Sequence, residues 1–141
     1  MTVVLGLDVG DARIGLARAE SGSALAFGRG WIDRTDLEAD LAELRRIATE
    51  EKADLLVVGL PRRSDGADSE QTRRVRRFAD RLSEAGLEVA LEDERFTTRI
   101  AGRQVATGPR SKGKRQVKGL LDEAAAVLIL ETWLQRNSGA A

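Results

Sequence analysis

The chain has 141 residues, 42% of them hydrophobic and 33% charged, and its 23 basic and 23 acidic side chains give a formal net charge of zero. These proportions exclude a disordered chain and predict one globular domain. The absence of Cys, His and Tyr excludes disulfides, thiolate zinc sites, cysteine nucleophiles and imidazole catalysis, so a catalyst built from this chain must use carboxylates, Lys, Ser or Thr, or a bound hard cation.

The first predicted element is a buried strand, VVLGLDVG (3–10), that contains one acid. Side chains alternate along a strand, so Val4, Gly6 and Asp8 share one face and the odd-numbered residues share the other. A buried carboxylate is costly unless something compensates its charge. A metal ion is the functional compensation, and a hydrogen bond from a neighbouring turn or Arg is the structural alternative.

The remaining elements alternate between strands and helices. Turn signals and apolar periodicity predict strands over 13–20, 24–32, 53–60 and 87–91, and helices over 35–52, 68–85, 97–106 and 119–136. Thr35 is the predicted N-cap of the first helix. The order predicts an α/β fold: a mixed five-stranded sheet, made of an antiparallel meander plus two parallel strands and flanked by helices. We expect a single domain over 1–136 and a frayed tail over 137–141.

The apolar segments of the sequence predict where in the cell the protein is located. No apolar run is long enough to cross a membrane. The chain also enters its first strand without a signal pattern. We therefore expect a cytoplasmic protein with no membrane association.

Acids lie where the fifth strand ends. In sheets of this class, active groups lie at the carboxyl ends of neighbouring strands. Glu92, Asp93 and Glu94 follow one another there, with Glu92 and Glu94 on one face and Asp93 on the other. Parity permits either glutamate beside Asp8, and Glu94 is the one nearer the mouth of the sheet. The alternative is a solvated acidic cluster.

A third acid lies in the last predicted helix. Asp122 shares a helical stripe with Ala126, Ile129 and Trp133, so it is the polar member of a surface that faces the core. An acid near a helix N-terminus also stabilises the helix dipole, a role that Glu123 fits better. Asp8, Glu94 and Asp122 all fall where they can converge.

The zero net charge conceals a basic segment. The 27 residues of 95–121 carry no acid and eight basic side chains, which leaves 15 basic and 23 acidic side chains on the rest of the chain. Such segregation predicts an anionic partner, most simply a phosphate backbone. The alternative is a solvated basic loop, and 108–118 has the composition of an exposed loop.

Four motifs in order resemble one family. GLDVGDARIGLA (6–17), VVGLPRRSDG (57–66), EDERFTT (92–98) and LDEAAAVLIL (121–130) closely resemble the YqgF family, which is similar to Holliday-junction resolvases and has a ribonuclease-H-like fold. The resemblance implies a nuclease with an acidic site at Asp8, Glu94 and Asp122 that binds Mg²⁺ or Mn²⁺. Members are described as junction resolvases and as nucleases that mature the 5′ end of small-subunit ribosomal RNA precursor. Phe96 departs from the motif, which more often has Leu there.

The expected partner is nucleic acid, as structured RNA or as branched or single-stranded DNA, with pre-ribosomal particles as a further expected partner. We expect a monomer or weak homodimer. Few aromatic side chains are available for base stacking, so binding should depend on backbone charge and shape. The side chains expected to contact nucleic acid are Arg13, as a clamp on the scissile phosphate, and Arg62, Arg63, Arg73, Arg74, Arg77, Arg95, Arg110, Lys112, Lys114, Arg115 and Lys118.

Two other functions remain open from the sequence. The pattern D-V-G-x-x-x-x-G over 8–15 also resembles the first phosphate loop of actin-like ATPases, although those enzymes generally need two such domains. The other alternative is a non-catalytic RNA-binding module that takes part in ribosome assembly. Tight ATP binding would favour the ATPase. Nucleic-acid binding that is unaffected by loss of Asp8, without cleavage in any metal, would favour the non-catalytic module.

Overall fold

A mixed five-stranded sheet carries helices on both of its faces. A computed structural model of the chain describes residues 2–63, 65–94 and 114–138. Within these residues, no helix combines the length and the apolar character needed to span a bilayer. The elements are β1 (Val3–Val9), β2 (Arg13–Glu20), β3 (Phe27–Asp33), α1 (Leu37–Glu51), β4 (Ala53–Leu60), α2 (Glu70–Glu84), β5 (Val89–Asp93) and α3 (Lys114–Ser138).

The sheet topology confirms the predicted fold class. The strand order is β3-β2-β1-β4-β5. β1, β2 and β3 form the antiparallel meander, and β4 and β5 continue the sheet parallel to β1. β1 and β4 are central and have nearly continuous apolar sequences, because parallel strands covered on both faces need apolar side chains on both.

Each face of the sheet has its own core. Leu5 and Leu7 of β1 pack with α1 and α2, whereas Val4 packs with α3, as the alternation along the strand predicts. Asp8 has the parity of Val4 and therefore lies on the α3 face. Burial of each large apolar side chain contributes about 1.5–3 kcal/mol. The buried helical members of the two cores are Leu41, Leu44, Ile47, Ala48, Val75, Phe78 and Leu82 on one face and Ala126, Ile129, Leu130 and Leu134 on the other.

The first helix begins one residue later than predicted. Its N-cap is Asp36, whose side chain accepts a hydrogen bond from the Ala39 backbone N–H, and the expected cap at Thr35 is wrong. The Thr35 backbone N–H instead donates to the carboxylate of Asp40. Asp is a better N-cap than Thr, so cap preference favoured Asp36, and the prediction at Thr35 overlooked it.

The strand β5 lies two residues further along the chain than the predicted 87–91. Leu87 is still part of the turn that ends α2, because its N–H donates to the Leu82 carbonyl at 3.2 Å. Pairing with β4 therefore starts at Val89, opposite Leu56. β3 likewise starts at Phe27 rather than at 24.

The last helix is longer than predicted at both ends. α3 begins at Lys114, so residues 114–118, expected in a loop, are helical, and it continues through Ser138 into the expected frayed tail. Gly119 suggested a helix start, but it lies inside the helix because its missing side chain admits the ring of Trp31. Asp122 and Glu123 are therefore interior residues of the helix, and neither lies in its first turn. The predicted helix over 97–106 lies outside the described residues.

Gly15 allows α3 to lie directly on the sheet. A Cβ atom at this position of β2 would overlap the backbone carbonyl of Asp122. Contact between helix and strand backbones at this point sets the height of α3 above β2. The second glycine of the D-V-G-x-x-x-x-G pattern thus has a packing role in this chain.

Gly15→Ala should push α3 away from β2 and destabilise the protein by about 1–3 kcal/mol, the usual cost of overpacking. Urea denaturation measures the change in the free energy of unfolding. Gly10→Ala is the milder comparison, because its added Cβ would meet the Arg13 carbonyl oxygen at 3.1 Å. Equal stability of the two variants would contradict the close helix contact.

Candidate functional site

Asp8 lies near the carboxyl end of the central strand, between two glycines on the neighbouring strands. On one side its register partner is Gly15 of β2. On the other side Leu7 pairs with Val58 of β4, which brings Gly59 beside Asp8. Because neither glycine has a side chain, groups from more distant elements can approach Asp8 from both sides.

Glu94 approaches from the β5 side. It directly follows β5 and is only 8% exposed. Its side chain lies over Gly59, where an added Cβ would meet the Glu94 Cγ and Cδ atoms at 3.0 Å. Glu94 therefore extends across β4 toward Asp8.

Asp122 approaches from the helix on the β2 side. Its backbone rests on Gly15, and its carboxylate Oδ2 accepts a hydrogen bond from Arg13 Nε at 2.8 Å. Arg13 starts β2 and is partly buried, as is Asp122. Arg13, predicted to clamp a substrate phosphate, thus has an acid of the same site as its partner here.

The acids influence one another electrostatically. The pKa of Asp8 is raised well above its ordinary value, first by burial and then by the negative charges of Glu94 and Asp122. Burial also raises the pKa of Asp122, although the hydrogen bond and charge of Arg13 act in the opposite direction. The three acids singled out by the sequence are therefore brought together.

The chemistry of this group suits a hard divalent cation. Three carboxylates that repel one another in a poorly solvated place gain from a cation with oxygen-ligand preference. Among the described residues, no three acids are already arranged to bind one ion together. Asp122 accepts the hydrogen bond of Arg13 through Oδ2, so Arg13 competes with a cation for the charge of this carboxylate.

Glu92 and Asp93 have other partners. Glu92 is only 3% exposed, and its carboxylate accepts a hydrogen bond from Arg136 of α3 at 2.6 Å. Asp93 lies on the opposite face, 3.7 Å from the guanidinium of Arg62. The predicted alternation is confirmed, and Glu92 connects β5 to the C-terminal part of α3. The position of Glu92 at the end of a buried strand indicated that a cation must pair with it, but the sequence did not show that the cation is Arg136.

The predicted nucleic-acid contacts fall into three groups. Arg62 and Arg63 follow β4, and Arg73, Arg74 and Arg77 are exposed on α2, each within 4.0 Å of an acid. Lys118 is exposed on α3. Lys114 and Arg115 belong to the first turn of α3, whereas Arg95, Arg110 and Lys112 lie outside the described residues. Their binding roles stay predictions.

Sequence reasoning did not identify Arg76 as a neighbour of Arg62 near the end of β5. Its Nε lies 3.3 Å from the Asp68 carboxylate, and Arg62 Nε lies 3.5 Å from the same group. Two guanidiniums therefore share one acid beside the end of β5. The run of arginines on α2 was the available signal, but its periodicity alone did not show which arginine turns toward β5.

Solved structures identify the fold. A Thermus thermophilus RuvC in complex with a Holliday junction substrate is similar with a TM-score of 0.57 and 16% identity, over 100% of this chain and 98% of that one. A fowlpox virus resolvase in complex with Holliday junction DNA is similar with a TM-score of 0.55 and 11% identity, over 96% of this chain and 98% of that one. At these identities the likeness shows the fold, which is ribonuclease-H-like, as predicted.

Sequence comparison defines the family. The family model described as "RuvX: Holliday junction resolvase" matches residues 2–136. A Thermus thermophilus protein named "Putative pre-16S rRNA nuclease" is 47% identical over 131 residues, which cover 93% of this chain and 96% of that protein. "Ribonuclease YqgF" of Deinococcus radiodurans is 45% identical over 136 residues, 96% of this chain and 90% of that protein. The chain belongs to the RuvX/YqgF family, and the resemblance seen in its motifs is confirmed.

Asp8→Asn should stabilise the protein at neutral pH in the presence of EDTA. A carboxyl whose pKa is raised by folding binds its proton more tightly in the folded state, so its contribution to stability falls as pH rises from the unfolded-state value of about 3.9. Asn has no ionisable proton in this range, so the variant does not lose this stability as the pH rises. Thermal denaturation should show a higher Tm for the variant at pH 7 and a smaller difference near pH 4.

The exposed Asp54 of β4 supplies the matched control. Asp54→Asn should change the Tm little at either pH, because surface substitutions usually have small effects. If Asp8→Asn were no more stable than the unsubstituted chain at pH 7, the electrostatic strain assigned to Asp8 would be contradicted.

Proposed function

We propose that this protein is a divalent-metal-dependent nuclease that hydrolyses phosphodiester bonds in structured nucleic acid. The observation that carries the proposal is the approach of Glu94 and Asp122 to Asp8 at the carboxyl edge of the central strands, close enough to raise the pKa of Asp8. Membership of the RuvX/YqgF family supports the same function.

Mg²⁺ or Mn²⁺ held by Asp8, Glu94 and Asp122 would supply a water nucleophile and stabilise the developing charge on the leaving oxygen. Asp8 belongs to a central strand, and Glu94 is placed by its packing over Gly59. Both are thus fixed before any substrate arrives, which lowers the cost of organising the site. Asp122 is the adjustable ligand, because its present partner is a side chain and not the backbone.

Arg13 has two roles in this proposal. In the arrangement described, its guanidinium neutralises Asp122 at 2.8 Å. If Asp122 held a cation, Arg13 would remain at the edge of the same site, where its guanidinium would contact a non-bridging oxygen of the scissile phosphate. One arginine thereby holds the acid in place without a cation and binds the substrate with one.

The substrate is held mainly through its phosphates. The acid-free segment 95–121 joins Glu94 to Asp122 in the sequence and carries eight basic side chains, so a phosphate-binding charge is close in sequence to two of the three acids. The chain has three Phe, two Trp and no Tyr, which leaves little surface for base stacking. Backbone charge and shape therefore dominate recognition.

The relatives indicate two substrate classes. We propose that the 5′ end of small-subunit ribosomal RNA precursor is a substrate, in the cytoplasm and within pre-ribosomal particles, with branched DNA as the second class. The chain acts as a monomer or weak homodimer. Sequencing of the RNA ends that accumulate when the protein is depleted from its host tests this choice, and unchanged small-subunit RNA ends would favour the DNA junction.

Cleavage of structured RNA or of a four-way DNA junction should require Mg²⁺ or Mn²⁺ and stop in EDTA. Asp8→Asn, Glu94→Gln and Asp122→Asn should each reduce cleavage to background, because each removes one negatively charged ligand. Glu92→Gln is the matched control: it should retain most activity and lose stability instead, since Glu92 pairs with Arg136. Gel assays of cleavage and urea denaturation of each variant separate the two effects.

Full activity in any two of the three site variants would contradict the carboxylate site. Tight nucleic-acid binding that survives Asp8→Asn, with no cleavage by the unsubstituted protein in either metal, would indicate the non-catalytic RNA-binding module. An inactive Glu92→Gln variant with an active Glu94→Gln variant would exchange the roles of these two residues.

Arg13→Gln should increase the affinity for Mn²⁺ about fivefold in the absence of nucleic acid, because a partly buried ion pair that competes for Asp122 is worth roughly 1 kcal/mol. The same variant should cleave more slowly, since it lacks the phosphate contact. Calorimetric titration with Mn²⁺ measures the first effect and a cleavage assay the second.

Arg18→Gln is the control for this change. Arg18 lies on the same strand and has an ion pair of the same length, 2.8 Å to Glu51, away from the acidic site. It should leave Mn²⁺ affinity unchanged. A decreased Mn²⁺ affinity in Arg13→Gln would show that Arg13 positions Asp122 for the cation rather than competing with it.

A further inference from the structure

A cavity of about 550 Å³ lies on the sheet face opposite α3. It opens between α1 and α2, and the residues that follow Asp8 along the chain, Val9, Gly10 and Asp11, form one of its ends. Its volume lies within the range of about 300–1,000 Å³ that is usual for ligand sites. None of the roles assigned to the acidic site uses this cavity.

The cavity combines an apolar floor with a cationic wall. Val9, Leu37, Val75 and Phe78 supply the apolar surface. The cationic side chains of the wall are Arg34, Arg74, Arg77 and Arg81. A ligand that fits this lining has one flat apolar part and one anionic part.

Two of the arginines have only weak partners. Arg77 is 65% exposed and lies 4.0 Å from Glu70, and Arg74 lies 3.6 Å from Asp11 and 3.9 Å from Glu70. Exposed ion pairs of this length contribute little to stability, so a phosphate can replace the carboxylates at small cost. Both arginines are therefore available to a ligand.

Arg34 presents a fixed planar group at the cavity. Its Nε donates to Asp40 at 3.0 Å and its Nη1 donates to the Gly10 carbonyl at 2.9 Å. Its guanidinium carbon lies 4.8 Å from the centre of the Phe78 ring. Guanidinium planes held in this way are surfaces on which nucleobases stack.

Acidic side chains also belong to the lining, and they favour a base over a phosphate alone. Asp11, Asp80 and Glu84 border the cavity together with Gln71. Carboxylate and amide oxygens accept hydrogen bonds from the amino groups of bases. A site for a bare phosphate would gain nothing from three acids, whereas a nucleotide has groups for both kinds of wall.

We propose that this cavity binds one unpaired nucleotide of the nucleic-acid substrate. Its base lies against the apolar floor beside Arg34, and its phosphate lies between Arg74 and Arg77. The turn after β1 separates the cavity from Asp8, so a single strand that crosses this turn reaches both. The inference rests on the proposed nuclease function and makes it specific: the preferred substrate has an unpaired stretch next to the bond that is cleaved.

Binding is tested in an Asp8→Asn background with two probes, an RNA hairpin that carries a three-nucleotide single-stranded extension and the same hairpin with a blunt end. The unsubstituted cavity should favour the extended hairpin about fivefold or more, the usual effect of one bound base. Arg77→Gln removes a phosphate contact, and Gln71→Glu adds a negative charge to the lining from an exposed position. Either change should bring the two affinities close to equal.

Arg73→Gln is the matched control. Arg73 lies on the same helix, is exposed and pairs with the same Glu70, but it does not line the cavity. This variant loses the same charge and should keep the preference for the extended hairpin, whatever its effect on overall affinity. Urea denaturation of each variant verifies that it is folded.

If Arg77→Gln and Gln71→Glu show the same preference for the extended hairpin as the background protein, the inference is overturned. A protein segment would then be the class of occupant that fits the mixed wall. An equal affinity of the background protein for both hairpins overturns it as well. The nuclease function fails separately, when protein with Asp8 intact cleaves neither hairpin nor a four-way DNA junction in Mg²⁺ or Mn²⁺. Selective binding of the extended hairpin without cleavage would support the cavity while removing the nuclease.

Discussion

The rest of the site depends on one unfavourable interaction, the repulsion between Asp8 and two other acids on a covered face of the sheet. Burial and the neighbouring charges of Glu94 and Asp122 raise the pKa of Asp8. The packing of the surrounding residues must hold these three acids together, since burying uncharged side chains at the same positions would cost less free energy. The strain supports the proposed metal site, because a divalent cation bound there would offset the repulsion between the three acids.

Close packing produces this arrangement. Gly15 admits the backbone of Asp122, and Gly59 admits the side chain of Glu94, so two missing side chains on β2 and β4 bring the other acids to Asp8. Arg13 then limits the repulsion by pairing with Asp122. The site is thus assembled from four strands and one helix, and a small displacement of α3 would alter both its geometry and its charge balance.

The two faces of the sheet have different roles in the proposed function. The face under α3 contains the acids, and the opposite face contains the cavity between α1 and α2. Both meet at the carboxyl edge of β1, where Arg34 ties the Gly10 carbonyl to Asp40 of α1. In the mechanism proposed, this edge is where a nucleic-acid strand passes from the cleavage site to the nucleotide site.

The sequence by itself determined the mixed sheet, the bounds of β4, the face occupied by Asp8 and the family, because alternation and motif order are local properties that survive without coordinates. It did not determine where α3 begins, since Gly119 is a helix breaker until Trp31 packs against it. Nor did it reveal the pair of Arg13 and Asp122, whose positions are 109 residues apart. Only the tertiary structure decided these features, because each depends on a contact between distant segments, and no local pattern records which distant group fills the space left by a glycine or neutralises a buried charge.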